Sequence, residues 1–150
     1  MPAKKEFGVE NEKDRKKNEA RLRRKAAGKK VPLIDSFSYA FYGIYTGIRK
    51  ERNMKLHCLS TVLVFIFGFF FHISALEWCV CFTLIGLIMA LELINTSIEA
   101  VVDLATEEYH PLAKIAKDTA AGAVLIASIF AAACAAIIFL PKVIVWITAL

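Results

Sequence analysis

Positive charge is nearly missing from most of this chain. Residues 56–150 contain Lys114, Lys117 and Lys142 and no other Lys or Arg. Glycine-rich phosphate cradles are missing too: there is no G-x-x-x-x-G-K-[ST] and no G-x-G-x-x-G loop of the protein-kinase type, so a nucleotide site here has to be built another way. The cysteines Cys58, Cys79, Cys81 and Cys134 lie in or beside apolar runs, and no pair has zinc-type spacing with histidine partners; they read as small buried hydrophobes. Residues 1–30 are short of large apolar groups and hold twelve Lys/Arg against five Asp/Glu. Such a segment cannot bury much surface, which predicts disorder or a loose solvated helix. Phe7 is its one aromatic residue, too few to interleave its charges, so no nucleic-acid partner is expected. Its basic residues suit anionic lipid headgroups, at about 1 kcal/mol for each one near the surface.

What the chain has in excess is hydrocarbon. Hydrophobic residues make up 57%, above the ~45–50% of soluble domains. They gather in three runs, at about 57–76, 78–98 and 119–141, each near the ~20 residues that cross a bilayer as a helix. The first starts too late for a cleaved signal peptide and has further spans behind it. After Pro32, Phe37, Phe41, Ile44, Tyr45 and Ile48 recur on one helical face, with Asp35 or Ser36 placed to cap the start. That predicts an amphipathic helix over about 35–52, lying in the membrane interface. In the third run Ala123, Ala127, Ala131 and Ala135 fall every fourth residue, a spacing that lets helices approach closely in lipid. Three thin helices enclose a site poorly, so a homo-oligomer is expected. Pro141 is read as the end of the third span, and residues 143–150 are too few to cross again.

Arg49, Lys50, Arg52 and Lys55 precede the first span, the link near residues 75–77 has no Lys or Arg, and Lys114 and Lys117 follow the second span. By the positive-inside rule the N-terminus and the second link are cytoplasmic and the C-terminus is outside, with Lys142 a minor contrary vote.

The second span ends in ELINTSIEAVVD, residues 92–103. At about 100° per residue, Glu92, Asn95, Glu99 and Asp103 share one stripe of that helix. The stripe runs from inside the hydrocarbon to the inner interface, and an acid at the depth of Glu92 marks a site by default. Magnesium takes carboxylates together with substrate phosphates, and a carboxylate partly out of water can serve as a general base. Phosphoryl transfer needs those parts and a cation for the phosphates. Lys117, in EEYHPLAKIAKD, is the leading candidate for the cation, and Glu51 adds a carboxylate just before the first span.

These residues resemble the prokaryotic diacylglycerol kinase family, which also contains undecaprenol kinases. The resemblance rests on Glu92-Leu-Ile-Asn95-Thr-Ser-Ile-Glu99-Ala-Val-Val-Asp103, on Glu108-Tyr-His110 and on Lys117-Asp118-x-Ala-Ala-Gly-Ala-Val-Leu, and it covers roughly residues 37–140. It implies an all-α integral membrane protein: an interfacial helix plus three transmembrane helices, assembled as a homotrimeric bundle with sites between subunits. Residues 1–31 would be a basic extension and 32–150 the lipid kinase domain. The implied reaction is phosphorylation of a lipid alcohol with ATP and Mg2+. By the same resemblance Glu92 is the general base and Asn95 positions it or the phosphate. Glu51 and Glu99 hold magnesium, and Lys117 contacts the ATP phosphates. Asp118 with Glu108, Tyr109 and His110 holds the nucleotide, Asp103 supports, and Tyr39 contacts the nucleotide from the surface helix. An arginine that some members carry before that tyrosine has no counterpart, because Pro32, Leu33 and Ile34 occupy the region.

The stretch Glu51-Arg-Asn53-Met-Lys55-Leu-His57, like HPLAKIAKDTAAGAVL, is more similar to the undecaprenol branch than to the diacylglycerol branch. Undecaprenol is therefore the expected substrate and diacylglycerol the alternative. A small proton-coupled exporter also carries a membrane glutamate, but it needs no cluster of acids at one interface.

Overall fold

The computed structural model describes residues 12–28 and 32–149, and five helices account for nearly all of them. In chain order these are α1 (Glu12–Ala26), α2 (Leu33–Lys50), α3 (Arg52–Phe70), α4 (Ala75–Ala105) and α5 (Pro111–Thr148). The chain divides into two compact units, one ending at Tyr42 and the other beginning at Gly43.

In the first unit α1 is the solvated kind of helix that the composition of the basic extension allows. Its described side chains lie mostly in water, and i,i+4 pairs such as Lys16 with Glu12 (2.6 Å) line its surface. Residues 1–11 and 29–31 of that extension lie outside the described residues. Two arginines tie α1 to α2: the Arg21 guanidinium stands 4.4 Å from the centre of the Tyr39 ring, and Arg24 pairs with Asp35 at 3.6 Å. Helix α2 starts two residues before the expected caps. Asp35 sits in its first turn, and the Ser36 hydroxyl donates back to the Pro32 carbonyl at 3.4 Å. Phe37 and Phe41 on its apolar face are exposed, as an interfacial helix requires.

The second unit holds the end of α2 and the three long helices. Helices α3, α4 and α5 are each long and apolar enough to cross a membrane. Most of their large apolar side chains, Leu59, Ile66, Leu125 and Phe130 among them, point outward. Water would make that arrangement costly; lipid makes it the ground state. Helix α4 packs mainly on α5 and less on α3.

The first apolar run is interrupted sooner than hydropathy suggests. Helix α3 stops at Phe70, and His72 turns the chain with φ 50°. Ser74 then caps α4 in a reciprocal box: its N–H donates to Glu77 Oε2 at 2.7 Å, and the Glu77 N–H donates to Ser74 Oγ at 3.3 Å. The turn brings Trp78 onto α3, where its ring centre lies 5.6 Å from that of Phe65 and 5.1 Å from that of Phe69. Gly68 permits this approach, since a Cβ there would stand 2.5 Å from the indole.

At the other end of the third run, Pro141 does not stop α5, which continues to Thr148. Proline removes one N–H donor from the helix ladder, a loss that membrane helices tolerate where surroundings satisfy the freed carbonyl. Lys142, one residue on, pairs with Glu77 at 2.9 Å and fastens the end of α5 to the start of α4.

Candidate active site

The site begins with a break in the chain. Glu51 separates α2 from α3 in an extended conformation (φ −88°, ψ 127°), and its side chain does not cap α3. The last turn of α2 packs against α4 because residue 47 is glycine: a Cβ there would stand 2.6 Å from Leu93 Cδ2. Gly47 thus sets the end of α2, and with it Glu51, next to the turn of α4 that carries Glu92.

Helix α4 buries Cys81, Ile88, Glu92 and Asn95. Glu92 is 1% exposed and Asn95 6%. Asn95 Nδ2 donates to Glu99 Oε1 at 3.3 Å. Glu92 Oε2 and Asn95 Oδ1 are both buried without a hydrogen-bond partner. Both are acceptors, and buried polar atoms without a partner are rare in native proteins. They line a cavity of about 220 Å³ together with Asn53, His57, Val124 and Ser128. The charged and polar neighbours of the Glu92 carboxyl are His57, Asn53, Glu51 and Glu99. Of the acids on the expected stripe and at the start of the first span, Glu92 lines the cavity, and Glu51 and Glu99 stand close enough to act on its carboxyl.

The fourth, Asp103, lies further along α4 and pairs with Lys117 of α5. Asp118 pairs with Lys114 one helical turn away. In the α4–α5 connection the Thr106 hydroxyl accepts from the Glu108 N–H and donates to the Glu108 carbonyl, both at 3.1 Å. Tyr109 is exposed. His110 is the N-cap of α5: its Nδ1 accepts from the Leu112 N–H at 3.2 Å, and Pro111 occupies the first helical position. Tyr39 belongs to the first unit, with Arg21 across its ring.

Among the described residues no three His, Cys, Asp or Glu side chains are close enough to hold a metal on their own. Magnesium usually keeps waters and binds through one or two carboxylates plus substrate phosphates; Glu51 and Glu99, which both act on the Glu92 carboxyl, are the acids that could supply them.

Asn53, His57 and Ser128 were not among the expected site residues. The first two stand four residues apart on α3, which puts them on one helical face, and that spacing was the available signal. Ser128 in an alanine-rich span carried none.

The sequence model described as prokaryotic diacylglycerol kinase matches residues 38–139. Among similar proteins, the undecaprenol kinase of Bacillus subtilis (strain 168) is 46% identical over 110 residues, covering 73% of this chain and 89% of that protein. The diacylglycerol kinase of Synechocystis is 42% identical over 120 residues, covering 79% of this chain and 69% of that protein. The diacylglycerol kinase of Escherichia coli (strain K12) is 30% identical over 99 residues, 66% and 81% of the two chains. With a buried acid on a membrane helix and a family match across all three spans, the chain belongs to the prokaryotic diacylglycerol kinase family of all-helical membrane lipid kinases.

Proposed function

We propose that this enzyme transfers the γ-phosphoryl group of ATP to the primary hydroxyl of undecaprenol. The observation that carries the reading is the pair of buried acceptors, Glu92 Oε2 and Asn95 Oδ1, beside a cavity and without a donor. A lipid hydroxyl is such a donor. Its oxygen attacks the γ-phosphorus and its proton passes to Glu92 Oε2; the bond from the γ-phosphorus to the β–γ bridging oxygen breaks and ADP leaves. Asn95, held at one end by Glu99, orients the hydroxyl.

Glu51 and Glu99 would hold Mg2+ against the phosphate oxygens. The ion's contribution when bound is to neutralise charge that builds on the phosphoryl group. Lys117, positioned by Asp103, would meet the ATP phosphates. Asp118, Glu108, Tyr109, His110 and Tyr39 are assigned to the nucleotide by resemblance. A homotrimer with a cytoplasmic N-terminus completes the reading, and the outward-facing apolar side chains leave room for neighbouring copies. The pairing of Lys142 with Glu77 fits that orientation, because it neutralises the one lysine that voted against it.

Undecaprenol is preferred because Asn53 and His57, from the stretch that resembles the undecaprenol branch, line the cavity with Glu92. The test is transfer from labelled ATP by purified protein in mixed micelles, with undecaprenol and diacylglycerol side by side, with and without magnesium. Magnesium-dependent labelling of undecaprenol well above diacylglycerol is expected. The reverse preference makes this a diacylglycerol kinase, and transfer to neither removes the reading.

A further inference from the structure

The cavity at Glu92 has a neighbour. His57 and Ser128 line it and also line a half-open groove of about 300 Å³ among α3, α4 and α5. The rest of the groove is nearly all apolar, with Cys81, Ile85 and Ile88 from α4 facing Ala131 and Ala135 from α5. Cys81, Ile88, Glu92 and Asn95 lie within about 60° of one another around α4, so cavity and groove follow one side of that helix. From Glu92 back to Cys81 the helix runs about 16 Å. The groove therefore leads from the buried carboxyl into the apolar depth of the span, with His57 and Ser128 at its neck.

A lipid alcohol that brings its hydroxyl to Glu92 must lay its hydrocarbon chain along some apolar surface. The groove shares His57 and Ser128 with the Glu92 cavity and is the apolar space next to it. We propose that it receives the first part of a single substrate chain, and that Ser128, Ala131 and Ala135 on α5 set which chains fit. The assignment rests on the kinase reading of Glu92. A single prenyl chain can follow the groove in full, whereas a two-chain lipid leaves one chain outside. This gives the enzyme a means of choosing that its catalytic carboxylates lack. The small residues are needed as a wall, since a larger side chain at 131 or 135 would stand in the chain's path.

The positions make a graded test. Residue 131 lies about 4.5 Å along α5 from Ser128 and residue 135 about 10 Å. Ala131→Leu and Ala135→Leu are assayed in full-length protein with prenols from short to long, reading kcat/KM for each alcohol, KM for ATP and the size of the assembly. Long prenols should lose at least ~10-fold relative to short ones. The cut-off should fall at a shorter length for position 131, with KM for ATP and assembly size unchanged. Ala131→Val serves if the leucine does not fold. Equal losses at all lengths, or none, overturn the proposal. So does a changed assembly with an unchanged length profile, which would mean that a second copy covers the groove. A diazirine-bearing prenol cross-linked to the wild-type chain reads occupancy without turnover. Label on Ile88 and Ala131 supports the groove, and label confined to lipid-facing side chains such as Phe130 overturns it. A wild type that phosphorylates no alcohol overturns the kinase reading, while the cross-linking still judges the groove.

Discussion

Glu92→Gln separates the chemistry of Glu92 from its place in the fold. The substitution keeps size and shape and removes the ability to take a proton. Proton transfer by a positioned side chain contributes about 10²–10⁴ in rate, so turnover should fall by about that factor, or ~2.7–5.5 kcal/mol of barrier at ~1.36 kcal/mol per tenfold. The structure also fixes the sign of the stability change. Wild type carries two buried acceptors without partners, Glu92 Oε2 and Asn95 Oδ1. They stand three residues apart on one helix, where side chains meet. Glutamine places an NH₂ donor beside Asn95 Oδ1, and one neutral hydrogen bond is worth about 1 kcal/mol. For a chain of this length Tm should therefore rise by about 2–4 °C. The assays are single-turnover phosphate transfer, ATP binding and thermal unfolding in detergent. Turnover within ~3-fold of wild type in a protein that binds ATP would refute Glu92 as the proton acceptor. A fall in Tm together with lost ATP binding would show that its carboxylate is structural.

Glu51→Gln and Glu99→Gln should raise the magnesium concentration needed for half-maximal activity; an unchanged magnesium titration in both removes their assignment as ligands. Lys117→Met should raise KM for ATP by about tenfold or more, and Asp103→Asn should do the same more weakly because it acts through Lys117; KM values equal to wild type would detach the pair from the nucleotide. Gly47→Ala places a Cβ against Leu93 and should cost about 1–3 kcal/mol as overpacking, read as a lower unfolding midpoint with reduced turnover. Lys142→Met breaks the pair with Glu77 at the end of α4 remote from Glu92 and should lower both Tm and turnover while leaving KM for ATP unchanged; full activity would show that this end is not coupled to the site.

The spans were legible because hydrocarbon depth demands long apolar runs and little else in a sequence does. Glu92 was legible for the complementary reason: an acid inside such a run has no ordinary explanation. Ends were harder. Phe71, His72 and Ile73 turn the chain while remaining apolar or nearly so, and hydropathy reads straight through them. The signal lay in Ser74 and Glu77, spaced as a capping box. Pro141 pointed the other way: proline removes one N–H donor from the ladder but does not by itself end a helix, and α5 runs on to Thr148. His110 shows a different limit. The sequence resemblance placed it among nucleotide residues, and the structure gives its Nδ1 a task in capping α5. Asn53 and His57 share a face of α3 by their spacing, but that this face meets α4 at Glu92 is a matter of how the helices pack, which no local pattern encodes.

The ion pair between Glu77 and Lys142 gives the two longest helices a shared fulcrum. Glu77 lies fifteen residues before Glu92, a lever arm of about 22 Å. Tilting α4 by about 5° around that fulcrum carries Glu92 through ~2 Å, more than the whole ~0.5 Å range over which an N–H···O hydrogen bond holds. If Glu92 takes the proton as proposed, the alignment of its carboxyl depends on the angle of α4, which two side chains at the far end of that helix help to set.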